Sequence, residues 1–186
     1  MMQKDTVNGV HRGNLNVIGQ MKQVILQALL TDEEIMKLIL DRPDVELPAF
    51  SARYKEVVPW RRVPDTQMDA KTSVAFDITM GKALTSAAKE FTLYIWIMSH
   101  DSVMPFGNKE GNRLQIEDRG VRNDILADKI DYLINGSTEL GFTKAELIRS
   151  ELFEPIDGYS GRSMVYSITG WNRYNEQLYR DWGDKD

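Results

Sequence analysis

Between residues 91 and 169 the chain changes hydrophobic period in an order that few folds accommodate. Phe91, Leu93, Ile95 and Ile97 alternate with Thr92, Tyr94, Trp96 and Met98. That is the two-residue period of a strand, and its bulk on both sides predicts a central strand with both faces at least partly covered. Residues 100–113, rich in Asp, Ser, Pro, Gly and Asn, read as a loop. Over 118–134 the spacing turns helical, with Val121, Ile125, Leu126, Leu133 and Ile134 facing one way and Ala127 and Ile130 filling the stripe. Asn135-Gly136 supplies a left-handed stop. Two more alternating runs, 144–153 and 162–169, flank the turn Asp157-Gly158-Tyr159-Ser160-Gly161-Arg162. In the first, Ala145, Leu147 and Arg149 oppose Glu146, Ile148 and Ser150; in the second, Met164, Tyr166 and Ile168 oppose Val165, Ser167 and Thr169. The whole predicts a small sheet with a helix across one face.

The upstream half adds to this sheet. Val74, Phe76, Ile78 and Met80 alternate with Ala75, Asp77 and Thr79, a half-buried strand, and 81–90 connect it to the next as a long hairpin with a projecting tip. Before that, Ile18, Met21, Ile25 and Leu29 share a helical face widened by Val24 and Leu26. Thr31-Asp32-Glu33-Glu34 has the spacing of a capping box, opening a second helix through Ile35, Met36, Leu38 and Ile39 that ends before Pro43. These form an N-terminal helical pair. Residues 41–70 hold Pro43, Pro48, Pro59 and Pro64, four of the six prolines, and read as an extended connector in which Val57, Val58, Trp60 and Val63 form a short strand or a buried anchor. The expected organisation is a flexible arm over 1–14, a single α+β domain over 15–170 and a C-terminal arm over 171–186. The domain is a two-layer sandwich whose mainly antiparallel sheet has four or five strands.

Composition narrows the chemistry. The chain has no cysteine, which removes disulfides, thiolate nucleophiles and cysteine-bound zinc. Its 186 residues suffice for a core without staples. A net charge of −5 argues against a general nucleic-acid binder, which needs a dense basic surface to displace counterions. The longest apolar run is too short to span a bilayer, and the opening Met1-Met2-Gln3-Lys4-Asp5 lacks a signal peptide's apolar segment, so assembly in a cytoplasm is expected.

No catalytic constellation stands out. Of the two histidines, His11 lies in the arm and His100 at a strand end beside Asp101, whose side chain a strand would point the other way. Ser160 lacks the pattern of a nucleophile elbow and reads as turn chemistry. Gly107 and Gly111 lack the lysine–hydroxyl pair of a phosphate loop. Asp77 and Glu90 could hold magnesium in a metal-dependent nuclease, although Thr92 stands where that chemistry uses lysine. Neither a cofactor nor a metal is expected. Trp60, Tyr94, Trp96, Tyr159, Trp171, Tyr174 and Trp182 are many aromatics for one small core, and Trp and Tyr dominate interface hot spots. Trp60, Trp96, Tyr159, Arg162, Trp171, Tyr174 and Trp182 are therefore the candidate subunit or partner contacts; covering the second sheet face is the plainer role for half the aromatics.

The order of elements resembles that of the bacteriophage tail-terminator and tail-completion proteins. The likeness runs from about 15 to 169. It is carried by 20–39 as opening helices, Val63-Pro64-Asp65-Thr66 and 72–79 as the approach to the first strand, 122–136 as the sheet-covering helix and 156–162 as the final hairpin. The resemblance implies a structural virion protein of the phage neck. Such a protein forms a homo-oligomeric ring, commonly a hexamer, that caps the tail-tube protein and joins it to the head connector or stopper protein. DNA would pass through the lumen without specific binding, and an acidic wall suits that role. A head-completion or stopper protein of the same neck is the nearest alternative; a nuclease or a monomeric adaptor are alternatives of other classes.

Overall fold

A computed structural model describes residues 14–61, 71–85, 88–141 and 143–171. The chain is α+β; its described residues form a five-stranded mixed sheet, a two-stranded sheet and four α-helices. Helices α1 (Asn14–Thr31) and α2 (Glu33–Leu40) lead to a 3-10 turn (Phe50–Ala52) and the short strand β1 (Val57–Val58). Strands β2 (Thr72–Ala83) and β3 (Ala88–His100) form the long hairpin. A 3-10 turn (Asp101–Val103), β4 (Pro105–Phe106), α3 (Asn108–Leu114) and β5 (Gly120–Val121) precede α4 (Arg122–Ile134), and β6 (Glu146–Ile156) and β7 (Tyr159–Trp171) close the chain's described part. The sheet runs β1-β2-β3-β7-β6, parallel only between β1 and β2. β3 is central, as its two bulky faces require.

Alternation sorts the strands onto two faces. Val74, Phe76, Ile78, Phe91, Leu93, Ile95, Ile97, Met164, Tyr166 and Ile168 point to one side and join the main core. Onto them pack α1 through Met21, Ile25 and Leu29, α2 through Ile35, Leu38 and Ile39, and α4 through Leu126 and Ile130. Val58, Ala75, Trp96, Met98 and Phe153 form a thinner cluster on the other face.

Several expectations need correction. The cap of α2 is Asp32, which accepts from the Ile35 amide at 2.9 Å, because α1 runs through Thr31, whose hydroxyl turns back to the Gln27 and Ala28 carbonyls. The helix α4 starts at Arg122, not 118, and Val121 is an exposed residue of β5, paired to Pro105. The supposed loop 100–113 contains β4 and most of α3. The hairpin strands reach Ala83 and Ala88, with a register shift between Met80 and Ala83, so the connection is shorter than 81–90 suggests. A bulge between Leu147 and Arg149 flips the expected alternation of β6. Leu147 lies opposite Tyr166, and past the extra residue Ser150 and Leu152 share that face opposite Met164 and Arg162. Gly136 does adopt the left-handed stop, at φ 82°.

Candidate interaction surfaces

One end of the sheet is fixed by buried polar side chains. Arg122 opens α4 and is 2% exposed. Its guanidinium donates to the Leu38 carbonyl at 2.7 Å, the Val103 carbonyl at 2.8 Å and Asp41 Oδ1 at 2.6 Å, and it lies 5.3 Å from the Phe106 ring centre. Asp41 caps α2 in the left-handed conformation, φ 55°, and also takes both terminal nitrogens of Arg113 on α3, one at its carboxylate and one at its carbonyl. A buried guanidinium survives only when such donors are all met. Next to it Asn123, 1% exposed, accepts from Ser99 at 2.6 Å and donates to the Ser160 carbonyl at 2.8 Å, while Ser99 meets Thr72 at 2.9 Å. Asn123 thus ties α4 to β2, β3 and β7. Nothing in the sequence singled out Arg122, Asn123 or Asp41, whose partners are distant in the chain.

The loops at that end carry His100, Asp101 and Ser160 without forming a catalytic relay. His100 Nδ1 meets Ser102 Oγ at 2.8 Å, whereas the Ser160 hydroxyl donates to Asp101 Oδ1 at 2.8 Å. The two pairs are separate. The proposed magnesium pair does not converge either. Asp77 lies opposite Tyr94, four residues along β3 from Glu90, about 13 Å at strand rise. Asp77 is engaged by Lys22 Nζ at 2.6 Å and accepts from the Ile78 amide. Among the described residues no three His, Asp or Glu side chains gather as a metal site.

The candidate contact residues fall in different surroundings. Trp60 is 43% exposed and stacks on Tyr54, ring centres 5.8 Å apart. Trp96 is half-buried on the uncovered sheet face, stacked on Tyr94 at 5.8 Å and 8°, with Arg61 5.8 Å from its ring centre. Tyr159 is buried at the start of β7, edge-on to His100. Arg162 reaches across to α4, donating from Nε to Asp124 at 2.8 Å and from Nη1 to Ser150 at 3.1 Å. Trp171 ends β7 opposite Ala88. Tyr174 and Trp182 lie outside the described residues, as do Val63 and most of the connector's second half. Tyr159 and Arg162 are engaged within the chain; Trp60, Tyr94 and Trp96 present aromatic surface. Tyr54 beside Trp60 was not singled out, although its ring and the Arg53 guanidinium 4.7 Å away complete that patch.

Among the described residues no helix is long and apolar enough to cross a membrane. Comparison with curated proteins finds no match. The family model of YomW matches residues 25–168, from the middle of α1 to Ile168 in β7. The chain belongs to the YomW family, a family of phage-derived (SPBc2 prophage-like) proteins.

Proposed function

We propose that the protein is a structural component of the phage neck, acting as a tail terminator: a ring that stops tail-tube growth and joins the tube to the head connector. The observation that carries the reading is membership of a phage-derived family by a chain whose elements follow the expected order, helical pair, strand, hairpin strand, helix, then two hairpin strands. The physics of the chain is compatible. A sheet backed by three helices and pinned at one end by Arg122 and Asn123 is a stiff building block. Exposed aromatics at Trp60 and Tyr54 supply contact surface of the kind that carries interface energy. Heterologous contacts repeated by rotation close into a ring. On this reading the protein works by binding and geometry, without turnover, and its hairpin tip and terminal segments reach neighbouring subunits and tail proteins.

The test is multi-angle light scattering of the purified chain with and without polymerised tail-tube protein. The expected result is a ring-sized species bound at tube ends, seen by negative-stain imaging, and shorter tubes as its concentration rises. Tubes of unchanged length with no bound species overturn the reading.

A further inference from the structure

The two edges of the sheet are finished differently. At the β1 edge the chain guards itself. Lys22 leaves α1, donates to the Pro59 carbonyl at 2.9 Å and pairs with Asp77 at 2.6 Å, and Asp77 accepts from the Ile78 amide at 2.8 Å just beyond the point where β1 stops covering β2. A lysine and a self-capping carboxylate are the usual defences of an edge. At the other edge β6 pairs only with β7. Its start is met by Asn135, whose side-chain oxygen accepts from the Leu147 amide at 3.3 Å. From residue 148 to 156 its outer backbone has no described partner. Two large apolar side chains stand in the open there, Ile148 at 61% and Leu152 at 74% exposure.

We propose that this edge binds the same edge of a second copy of the chain, antiparallel and centred on Ser150, giving a two-fold dimer with one continuous sheet. The sequence of the edge complements itself in that register alone. Pairing about Ser150 sets Ile148 opposite the partner copy's Leu152, and Arg149 opposite its Glu151, twice each by symmetry. A shift of one residue either way sets Ile148 against Glu151 or Arg149 against Leu152. Leu152 and the two charged residues fall on separate faces. Leu152, opposite Arg162, lies on the helix side, where α4 packs over β3 and β7 and Leu152 stays exposed. Arg149 and Glu151 lie on the other side, already within reach of each other at 3.5 Å, so the charges are in place before a partner arrives. The bulge at Leu147/Arg149, whose extra residue is Ile148, and the irregularity between Phe153 and Ile156 leave residues 149 to 153 as the regular stretch on which the pairing is centred.

An isologous contact closes at two copies, so it is distinct from any contact that closes a ring. It stands whether or not the chain caps tail tubes, and it gives the free protein a dimeric form whose open edge is hidden before assembly. The measurement is sedimentation equilibrium of the full chain alone, with no tube present. A concentration-dependent monomer–dimer equilibrium is expected. Arg149→Glu and Glu151→Arg, each setting like charges opposite one another at both ends of the pairing, are expected to weaken it roughly tenfold or more. The double variant Arg149→Glu/Glu151→Arg restores opposite charges and is expected to recover the dimer. Both residues are exposed, and circular dichroism melting checks that each variant is folded; a variant that is not is replaced by Leu152→Lys, expected to weaken the dimer in the same way. A chain that stays monomeric, a species larger than a dimer, or a dimer that the single changes leave intact or the double change does not rescue overturns the proposal.

Discussion

On the helix-covered face of the sheet Phe76, Phe91, Leu93, Ile95 and Tyr166 are each 1% exposed or less, while on the opposite face Tyr94 and Trp96, drawn from the same central strand, are only partly buried. The first face is closed by three helices whose apolar stripes interdigitate with it. Among the described residues the second is closed by its own side chains and by Arg61 beside Trp96: Trp96 stacks on Tyr94, and Phe153 lies over Gly161, shielding Ala75, Met98 and Val165 to 8% exposure or less. Burial energy scales with the apolar area removed from water, so one face holds the fold and the other is left free to make contacts.

Truncations on the two faces measure that difference. Leu93→Ala opens a cavity in the helix-side core and is expected to destabilise by about 4 kcal/mol. Trp96→Ala removes more atoms, yet from a partly buried site with room to relax, and is expected to cost about 2 kcal/mol. Urea unfolding followed by circular dichroism orders the two. A larger loss at Trp96 breaks the comparison and makes the outer face part of the core.

The next effect belongs to the polar end of the covered face. Arg122→Met keeps an unbranched apolar stem but loses the guanidinium over the Phe106 ring, leaves the Leu38 and Val103 carbonyls without their donor and removes one of Asp41's two arginines. A loss of about 3 kcal/mol is expected, because stranded buried acceptors carry their full desolvation cost. Since Arg113 still holds Asp41, the α2 cap should persist, which amide exchange at the end of α2 would show. On the outer face the matching change is Gly161→Ala. A Cβ there would sit 2.5 Å from the Phe153 ring, so the ring must move off its seat, at about 1–2 kcal/mol. That substitution should leave the helix-side core intact and loosen β6, read as faster exchange along β6 alone.

How much of this is visible in the sequence depends on how local the cause is. The two-residue period of residues 91–98 and 164–169 fixes both the strands and the faces their side chains take, because each residue's fate is decided by its neighbours. The Leu147/Arg149 bulge defeats the same reasoning: one extra residue inverts the pattern after it, and no residue type announces it. In α3 the mid-helix Gly111 reads as a loop signal, but its missing Cβ makes room for the Arg119 guanidinium, which would lie 2.2 Å away, a contact formed only after folding. The Arg122–Asp41 pair spans 81 residues, so neither partner's importance is legible alone. Trp60 and Trp96 were identifiable as surplus to one core; the intrachain engagement of Tyr159 and Arg162 rests on register and on the reach of α4.

The smallest expected effect tests how dry the covered face is. Tyr166 on β7 is buried and its hydroxyl donates to Asp131 Oδ1 at 2.9 Å. Burial first, and the bond to the Asp131 carboxylate second, push its pKa well above the ordinary tyrosine value. A pKa raised by folding means that the folded state holds the proton more tightly than the unfolded one. The associated stability is fully present below the unfolded value of about 10 and declines as pH rises beyond it. Tyr166→Phe keeps the ring and loses the bond, at about 1 kcal/mol near neutral pH. The variant has no proton to lose, so its deficit should shrink above about pH 10 as the wild type alone weakens. Urea midpoints for both proteins across pH 7 to 11 check this. A deficit that stays constant through that range would mean that water reaches Tyr166 in the folded state and that the helix-covered face is less closed than its packing implies.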